Sequence, residues 1–270
     1  MAKNPVFNSK NFKSQLQTQP PAGYGTTQQG YGQPMSPEQL QDMYNAPAAT
    51  AAQTGRVTYS DVINKTLISL ALVLAGAVLG WNVTGLLLIG IVAGVVLGLV
   101  NSFKKKPSPP LILAYSFSQG VVLGAISGIL EYYYPGIAIQ AVVATLSVFA
   151  GVLALFKSGK IRTSPKLTKI FYAAMLGYLL FSLVNFGLVL FGATDSMFGL
   201  RSGWLGLAIG LFAVALASYS LVMDFEDIAR AVNTGAPKIV AWIGAFGLTV
   251  TLVWLYIEII RIIAILRGSD

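Results

Sequence analysis

Two clusters of ionisable residues interrupt otherwise apolar stretches of the sequence and are the first candidates for chemistry. One occupies residues 223–230 and the other residues 254–261. An ionisable side chain inside an apolar span is costly, so each such residue is a functional candidate by default.

Asp224 is the best candidate for a proton-titrating group. On a helix it has Asp227 three residues on and the apolar Ile228 four residues on, so it has no local cation partner. Burial and a nearby carboxylate both favour the neutral form of an acid. Glu226, in contrast, has Arg230 four residues on, in the favourable order for a helical ion pair. The alternative is that Asp224 is simply solvated where its helix enters water.

Glu258 follows a run of 19 uncharged residues and has Arg261 three residues on. One interpretation is a self-neutralised pair near the membrane interface. The other is a buried carboxylate that faces a cavity and is held by Arg261 or by a carboxylate on another span. Gln119 and Asn185 are polar residues within other spans, and they either line the same cavity or hold helices together.

The composition excludes most enzymes. The chain has 270 residues, 55% hydrophobic and 10% charged, whereas a soluble domain carries about 25% charged residues. It contains no cysteine and no histidine, which removes thiolate chemistry, the usual zinc ligands and the usual general base. Phosphate-loop, dinucleotide and metalloprotease motifs are also missing from the sequence. We therefore expect no enzymatic activity and no cofactor.

In so apolar a chain, the net charge of +8 indicates cytoplasmic loops rather than a nucleic-acid partner.

Charge-free runs predict an all-α integral membrane protein with seven transmembrane helices. One crossing of the bilayer needs about 20 residues. The run between Lys65 and Lys104 is long enough for two spans, with a break at residues 80–85. The other five predicted spans cover residues 107–130, 137–156, 170–194, 202–223 and 239–266.

The basic residues predict the orientation in the membrane. With seven spans, 15 of the 18 Lys and Arg residues fall on the side of the N-terminus. The three on the other side are Arg201, Arg261 and Arg267. Because cytoplasmic loops carry the excess of Lys and Arg, we expect a cytoplasmic N-terminus and an external C-terminus.

Residues 1–56 are predicted to be a disordered cytoplasmic tail, followed by a membrane domain over residues 57–270. The tail holds six of the twelve prolines and is rich in Gln, Tyr and Gly, so it buries too little apolar surface to offset its entropy. A protein-docking arm is the alternative.

Glycines recur every fourth residue in several spans, which places small residues on one helix face and lets backbones approach. The repeats comprise Gly76/Gly80, Gly90/Gly94/Gly98, Gly120/Gly124/Gly128 and Gly206/Gly210. Packing within the bundle is the favoured interpretation, and homodimerisation is the alternative.

The sequence resembles the Bax inhibitor-1 family of seven-span membrane proteins, in particular a bacterial branch with a long polar N-terminal tail. The resemblance covers residues 57–267 and rests on residues 115–127, 221–225 and 252–261. It implies a central seventh helix and a pH-sensitive cation leak in the cell membrane, with calcium as the usual ion. In the family an acid of the sixth span pairs with one of the seventh to close the pore. By motif match these are Asp224 and Glu258.

The chain departs from that pattern in the spacing of the two acids. They are 34 residues apart, more than the family pattern implies. With a helix stop at residues 233–237, ideal helices place their levels roughly 16 Å apart. A direct pair is therefore not expected.

Two functions compete at this point. The first is a proton-gated cation leak whose ligands are calcium or protons. The second is a non-conducting regulator that binds a membrane protease or a stress-response partner, as relatives do. The lipid bilayer is a partner in both.

Overall fold

Seven long apolar helices make up most of residues 54–268, as the charge-free runs predict. The computed structural model describes residues 41, 54–194 and 198–268. The helices are α1 Tyr59–Asn82, α2 Leu87–Phe103, α3 Pro109–Tyr133, α4 Ile137–Lys157, α5 Pro165–Leu190, α6 Gly203–Asn233 and α7 Ala241–Arg267. Each is long and apolar enough to cross a bilayer, with the short 3-10 helices before α2 and α7 counted as part of their spans. The prediction of an all-α, multi-pass membrane protein is confirmed.

Short breaks in the helical backbone lie where the sequence predicts them. A 3-10 turn, Thr84–Leu86, separates α1 from α2 within the predicted break. The acidic cluster lies within α6, which continues ten residues past Met223 and ends at Asn233. Gly235 then adopts a φ of +65°, a left-handed conformation that favours glycine, and this turns the chain towards α7.

The last helix is the centre of the bundle. In its most apolar window 72% of the residues are buried, against 56% for α3 and 6% for α5. It packs against α1, α3, α4 and α6, whereas α5 makes its main contacts with α6 and the 3-10 turn Gly199–Arg201. The prediction of a central seventh helix is confirmed.

Helices α1 and α3 pack backbone to backbone through glycine. A Cβ atom at Gly120 or Gly124 of α3 would collide with the backbone of Val73 or Ala77 in α1. Gly76 and Gly80 of α1 lie in the same way against α3. These glycine repeats therefore serve packing within one chain, as the favoured interpretation predicts.

The segment before α1 is joined to the α6–α7 turn. Residues 55–57 pair with residues 236–238 in an antiparallel bridge: the Val57 N–H donates to the Ala236 carbonyl at 2.8 Å and the Lys238 N–H to the Gly55 carbonyl at 2.9 Å. Asp61 completes a capping box with Thr58. Almost all of the predicted tail lies outside the described residues.

Candidate functional site

Asp224 lies on α6 beside a cavity of about 220 Å³. Its Oδ2 accepts a hydrogen bond of 2.7 Å from the Thr251 hydroxyl on α7. Its Oδ1 faces Gly247, where a Cβ atom would stand 3.0 Å away. Within the described part of the chain, Asp224 forms no salt bridge. Among the described residues, this half-buried acid has one hydroxyl donor and no ion-pair partner.

The cavity beside Asp224 is called the Asp224 cavity. Val57, in the segment before α1, and Val62, in the first turn of α1, line one side, and Gly244 and Gly247 of α7 line another. Its charged lining residues are two carboxylates, those of Asp224 and Asp227.

The remaining charges of the first cluster pair differently from the sequence prediction. Arg230 binds Asp227, at 3.4 Å, and not Glu226. Glu226 instead accepts hydrogen bonds from the backbone N–H of Thr163, at 3.1 Å, and from its hydroxyl. The predicted Glu226–Arg230 pair is wrong because Glu226 points towards the loop before α5, where two donors are available. Both members of the Asp227–Arg230 pair are about two-thirds exposed, so the pair contributes little.

Glu258 is buried at the centre of the bundle, with 1% of its surface exposed. Its carboxylate contacts Arg261 directly, lies 3.3 Å from the Nη2 of Arg201 and accepts a hydrogen bond from Tyr178. Arg201 also donates to the Tyr178 hydroxyl. The interpretation of a buried carboxylate held by Arg261 is therefore right in part: two arginines hold it, and the second comes from another element. This cluster of Tyr178, Arg201, Glu258 and Arg261 is the arginine–glutamate cluster.

Asn185 positions Arg201. The Asn185 side chain accepts a hydrogen bond of 2.7 Å from the Leu200 N–H and donates one of 3.2 Å to the Phe198 carbonyl. These bonds fix the 3-10 turn that carries Arg201 to the end of α5. Asn185 also lines the neighbouring cavity.

A larger cavity, of about 520 Å³, lies next to the arginine–glutamate cluster between α3, α5 and α7. Arg201 and Arg261 are its charged lining residues, and apart from Ser182 and Asn185 the remaining lining is apolar. We call it the Arg201 cavity.

Gln119 lies away from both cavities. Its amide packs against Gly94, at the contact between α3 and α2. Of the two predicted roles, holding helices together is the one that its position fits.

The two acids stand at different depths along α7. Asp224 binds Thr251, and Glu258 lies seven residues further along the same helix, about 10 Å by the helical rise. Their hydrogen-bond and ion-pair partners in the described residues are different side chains. The separation is smaller than the roughly 16 Å of the spacing arithmetic, but no hydrogen bond or ion pair joins the two acids in the described residues.

Comparison with known families shows to which family the chain belongs. A family model described as Bax inhibitor 1 like matches residues 4–268. The chain belongs to the Bax inhibitor-1 family. A search of curated proteins found no match. The family match begins at residue 4, so it extends into the Gln- and Tyr-rich segment, beyond the residues 57–267 that the sequence resemblance covers.

For a Bax inhibitor-1 protein, the separation of the two acids is the notable feature of this site. The implied pair of acids between the sixth and seventh spans is replaced by a hydroxyl contact, Asp224 to Thr251, and by a separate ion cluster around Glu258. The two candidate residues consequently act in different surroundings.

Sequence reasoning missed three partners: Thr251, Tyr178 and Arg201. Thr251 is seven residues before Glu258, which is close to two helical turns, and this spacing could have marked it as a residue on the same face. Tyr178 is a hydroxyl inside an apolar span. From the sequence, Arg201 is only a charge in a connecting loop, and nothing in its local sequence indicates that it turns inwards.

Proposed function

We propose that this protein is a proton-responsive cation leak channel of the cell membrane, with calcium as the ion and Asp224 as the responding group. Membership of the Bax inhibitor-1 family supports the general class. The observation that carries the proposal is the environment of Asp224, a half-buried carboxylate beside a cavity, held by one hydroxyl and by no ion pair in the described residues.

The charges lining the Asp224 cavity suit a cation. With both acids ionised, Asp224 supplies a negative charge without an ion pair in the described residues, and Asp227 supplies a second carboxylate that Arg230 partly neutralises. Calcium prefers carboxylate and other oxygen ligands. Protonation of Asp224 removes one of those charges and weakens the attraction. The described residues contain no group of three or more acids or other metal-binding side chains close enough to hold a metal ion. Weak binding fits a leak, because an ion must leave the site as readily as it enters.

The proposed orientation has the N-terminus in the cytoplasm and the C-terminus outside. The excess of basic residues on the N-terminal side supports it. Two of the three basic residues on the other side, Arg201 and Arg261, are buried against Glu258 and are not exposed loop charges. A reporter fused after Asp270 tests this, and one that is active only in the cytoplasm would reverse the orientation.

The decisive measurement is calcium flux from proteoliposomes that contain only this protein, from about pH 6 to about pH 8. We expect flux that changes with pH in the wild type and flux that does not change with pH in Asp224→Asn, which mimics the protonated acid. Glu226→Gln is the matched control, because it removes an acid two residues along the same helix that is bound to Thr163. It should keep the pH response.

Two outcomes would contradict the proposal. A pH response that survives Asp224→Asn unchanged would make Asp224 a solvated helix end. Absence of flux at every pH would favour the competing function, a non-conducting regulator that binds a membrane protease or a stress-response partner.

A further inference from the structure

We propose that the Arg201 cavity binds an anionic single-chain lipid, with its oxyanion headgroup between Arg201 and Arg261 and its acyl chain along the apolar wall. Three features of the cavity carry this inference: its charge, its unpartnered donors and its shape. The inference concerns the opposite end of α7 from Asp224 and does not depend on the proposed channel function.

The first feature is a positive charge that no further acid among the described residues compensates. The arginine–glutamate cluster contains two guanidinium groups, which stay protonated in proteins, and one carboxylate. The side chains of Arg201, Arg261 and Glu258 are 11%, 7% and 2% exposed. Taking a charge out of water is costly unless an opposite charge accompanies it. A bound anion would supply the missing negative charge.

The second feature is a set of buried donors without partners. The Nε atoms of Arg201 and Arg261 and the hydroxyl of Ser182 are buried and make no hydrogen bond within the described residues. Arg261 as a whole is 6% exposed, and all three residues line the cavity. Native proteins satisfy nearly all of their buried polar groups. Guanidinium N–H groups bind carboxylate and phosphate oxygens with strong, charge-assisted hydrogen bonds.

The third feature is the rest of the cavity, which is apolar and reaches the outer face of the bundle. Its volume of about 520 Å³ is typical of a small-molecule pocket. The apolar wall includes Ile126, Ile129, Leu130, Phe186, Val189 and Ile257.

Phe186 and Val189 of α5 are 50% and 37% exposed, so this wall continues into the surface that faces lipid. A free phosphate or acetate would contact only the two arginines and would make no contact with the apolar wall. An amphiphile entering from the membrane matches both parts, and we therefore assign the site to a membrane lipid.

The test uses the full-length protein in an uncharged detergent. Oleate, lysophosphatidate, oleyl alcohol and inorganic phosphate are added separately, and thermal unfolding and native mass spectrometry are recorded. We expect at least one of the two anionic lipids to raise the melting temperature saturably and to bind with a stoichiometry of one. The alcohol has the chain without the charge and the phosphate has the charge without the chain, so neither should do so. Equal stabilisation by oleyl alcohol, or no saturable binding of either lipid, would overturn the proposal.

Variants locate the site. Arg201→Gln should weaken lipid binding about tenfold or more, the scale of a charge-assisted hydrogen bond. Arg267→Gln is the matched control, since it removes a basic residue near the same end of α7 that donates to the Pro135 carbonyl outside the cavity. It should bind as the wild type does. Unchanged binding in Arg201→Gln would place the lipid elsewhere.

Two further variants keep the test decisive. Ser182→Leu fills part of the cavity without breaking a hydrogen bond of the described residues, so it should reduce binding even if Arg201→Gln does not fold. Asp195 lies outside the described residues. The variant Asp195→Asn tests whether the chain itself supplies the anion that the two arginines would bind. Lipid binding that appears only in Asp195→Asn would overturn the proposal.

Discussion

The two ends of α7 present cavities of opposite charge. The Asp224 cavity, near the α6–α7 turn, has two carboxylates among its lining residues, and the Arg201 cavity, near the α5–α6 connection, has two guanidinium groups. Asp224 and Glu258 are both acids within membrane helices, yet only Asp224 lacks an ion-pair partner in the described residues. The cost of burying Glu258 is offset by Arg201 and Arg261, whereas Asp224 has one hydroxyl.

This difference assigns different tasks to the two acids. Glu258 ties α7 to the turn before α6 and, through Tyr178, to α5, so it stabilises the bundle. The positive charge around it also repels cations. Asp224 forms no ion pair in the described residues that a change of protonation would break, and under the proposed function its cavity attracts cations. The comparison therefore predicts a stability role at one end of α7 and a pH-dependent role at the other.

The largest expected effect is on stability, from Glu258→Gln. This change leaves two buried arginines without their carboxylate, and breaking a buried ion pair by removing one partner costs about 3–5 kcal/mol. Thermal and denaturant unfolding in detergent measure the change. Asp227→Asn is the control: it breaks an exposed pair and should cost about 0–1 kcal/mol. Similar losses of unfolding free energy in the two variants would contradict the distinction between the buried arginine–glutamate cluster and the exposed Asp227–Arg230 pair.

Asn185→Leu should have an intermediate effect at the Arg201 end. The Leu200 N–H would lose its partner, whereas the Phe198 carbonyl would still accept from the Arg201 N–H, and an unsatisfied buried polar group costs about 1–3 kcal/mol. Asn82→Ala is the control, because the Asn82 side chain is exposed and bonds to its own helix at Val78. It should stay within about 0.5 kcal/mol of the wild type. A neutral Asn185→Leu would mean that the turn carrying Arg201 is held by other contacts.

Asp224→Asn should change stability little, by about 1 kcal/mol or less, because an amide oxygen can still accept from Thr251. Its effect is on function: the pH dependence of flux should disappear. Glu258→Gln should alter that dependence less, since the two acids do not share a site. Unfolding curves and liposome flux on the same preparations separate the two readouts. If Glu258→Gln removed the pH response as completely as Asp224→Asn, the two acids would act as one site.

The smallest effect is expected from deletion of residues 1–50. The segment before α1 pairs with the α6–α7 turn from Gly55 onwards, and its Val57 lines the Asp224 cavity. The deletion leaves these contacts intact. The truncated protein should unfold cooperatively at the wild-type temperature. Loss of cooperative unfolding would show that the deleted residues support the membrane domain.

The sequence by itself determined the seven helices and most of their limits. Each charge-free run matches the thickness of a bilayer, and the glycine and proline at residues 233–237 stop α6 and restart the chain, because glycine permits a left-handed turn and proline cannot continue a helix. The glycine repeats also predicted close packing within the bundle. For Asp224, the sequence shows directly that no Lys or Arg stands three or four residues further along its helix.

Only the tertiary structure decided the partners of the two acids. Glu258 meets Arg201 across 57 residues and Tyr178 across 80, and Asp224 meets Thr251 across 27. In a water-soluble helix, an apolar stripe reveals which face is buried. A membrane helix is apolar towards its neighbours and towards lipid alike, so its sequence barely specifies its rotation. Which side chains face each other is therefore settled only when the helices pack.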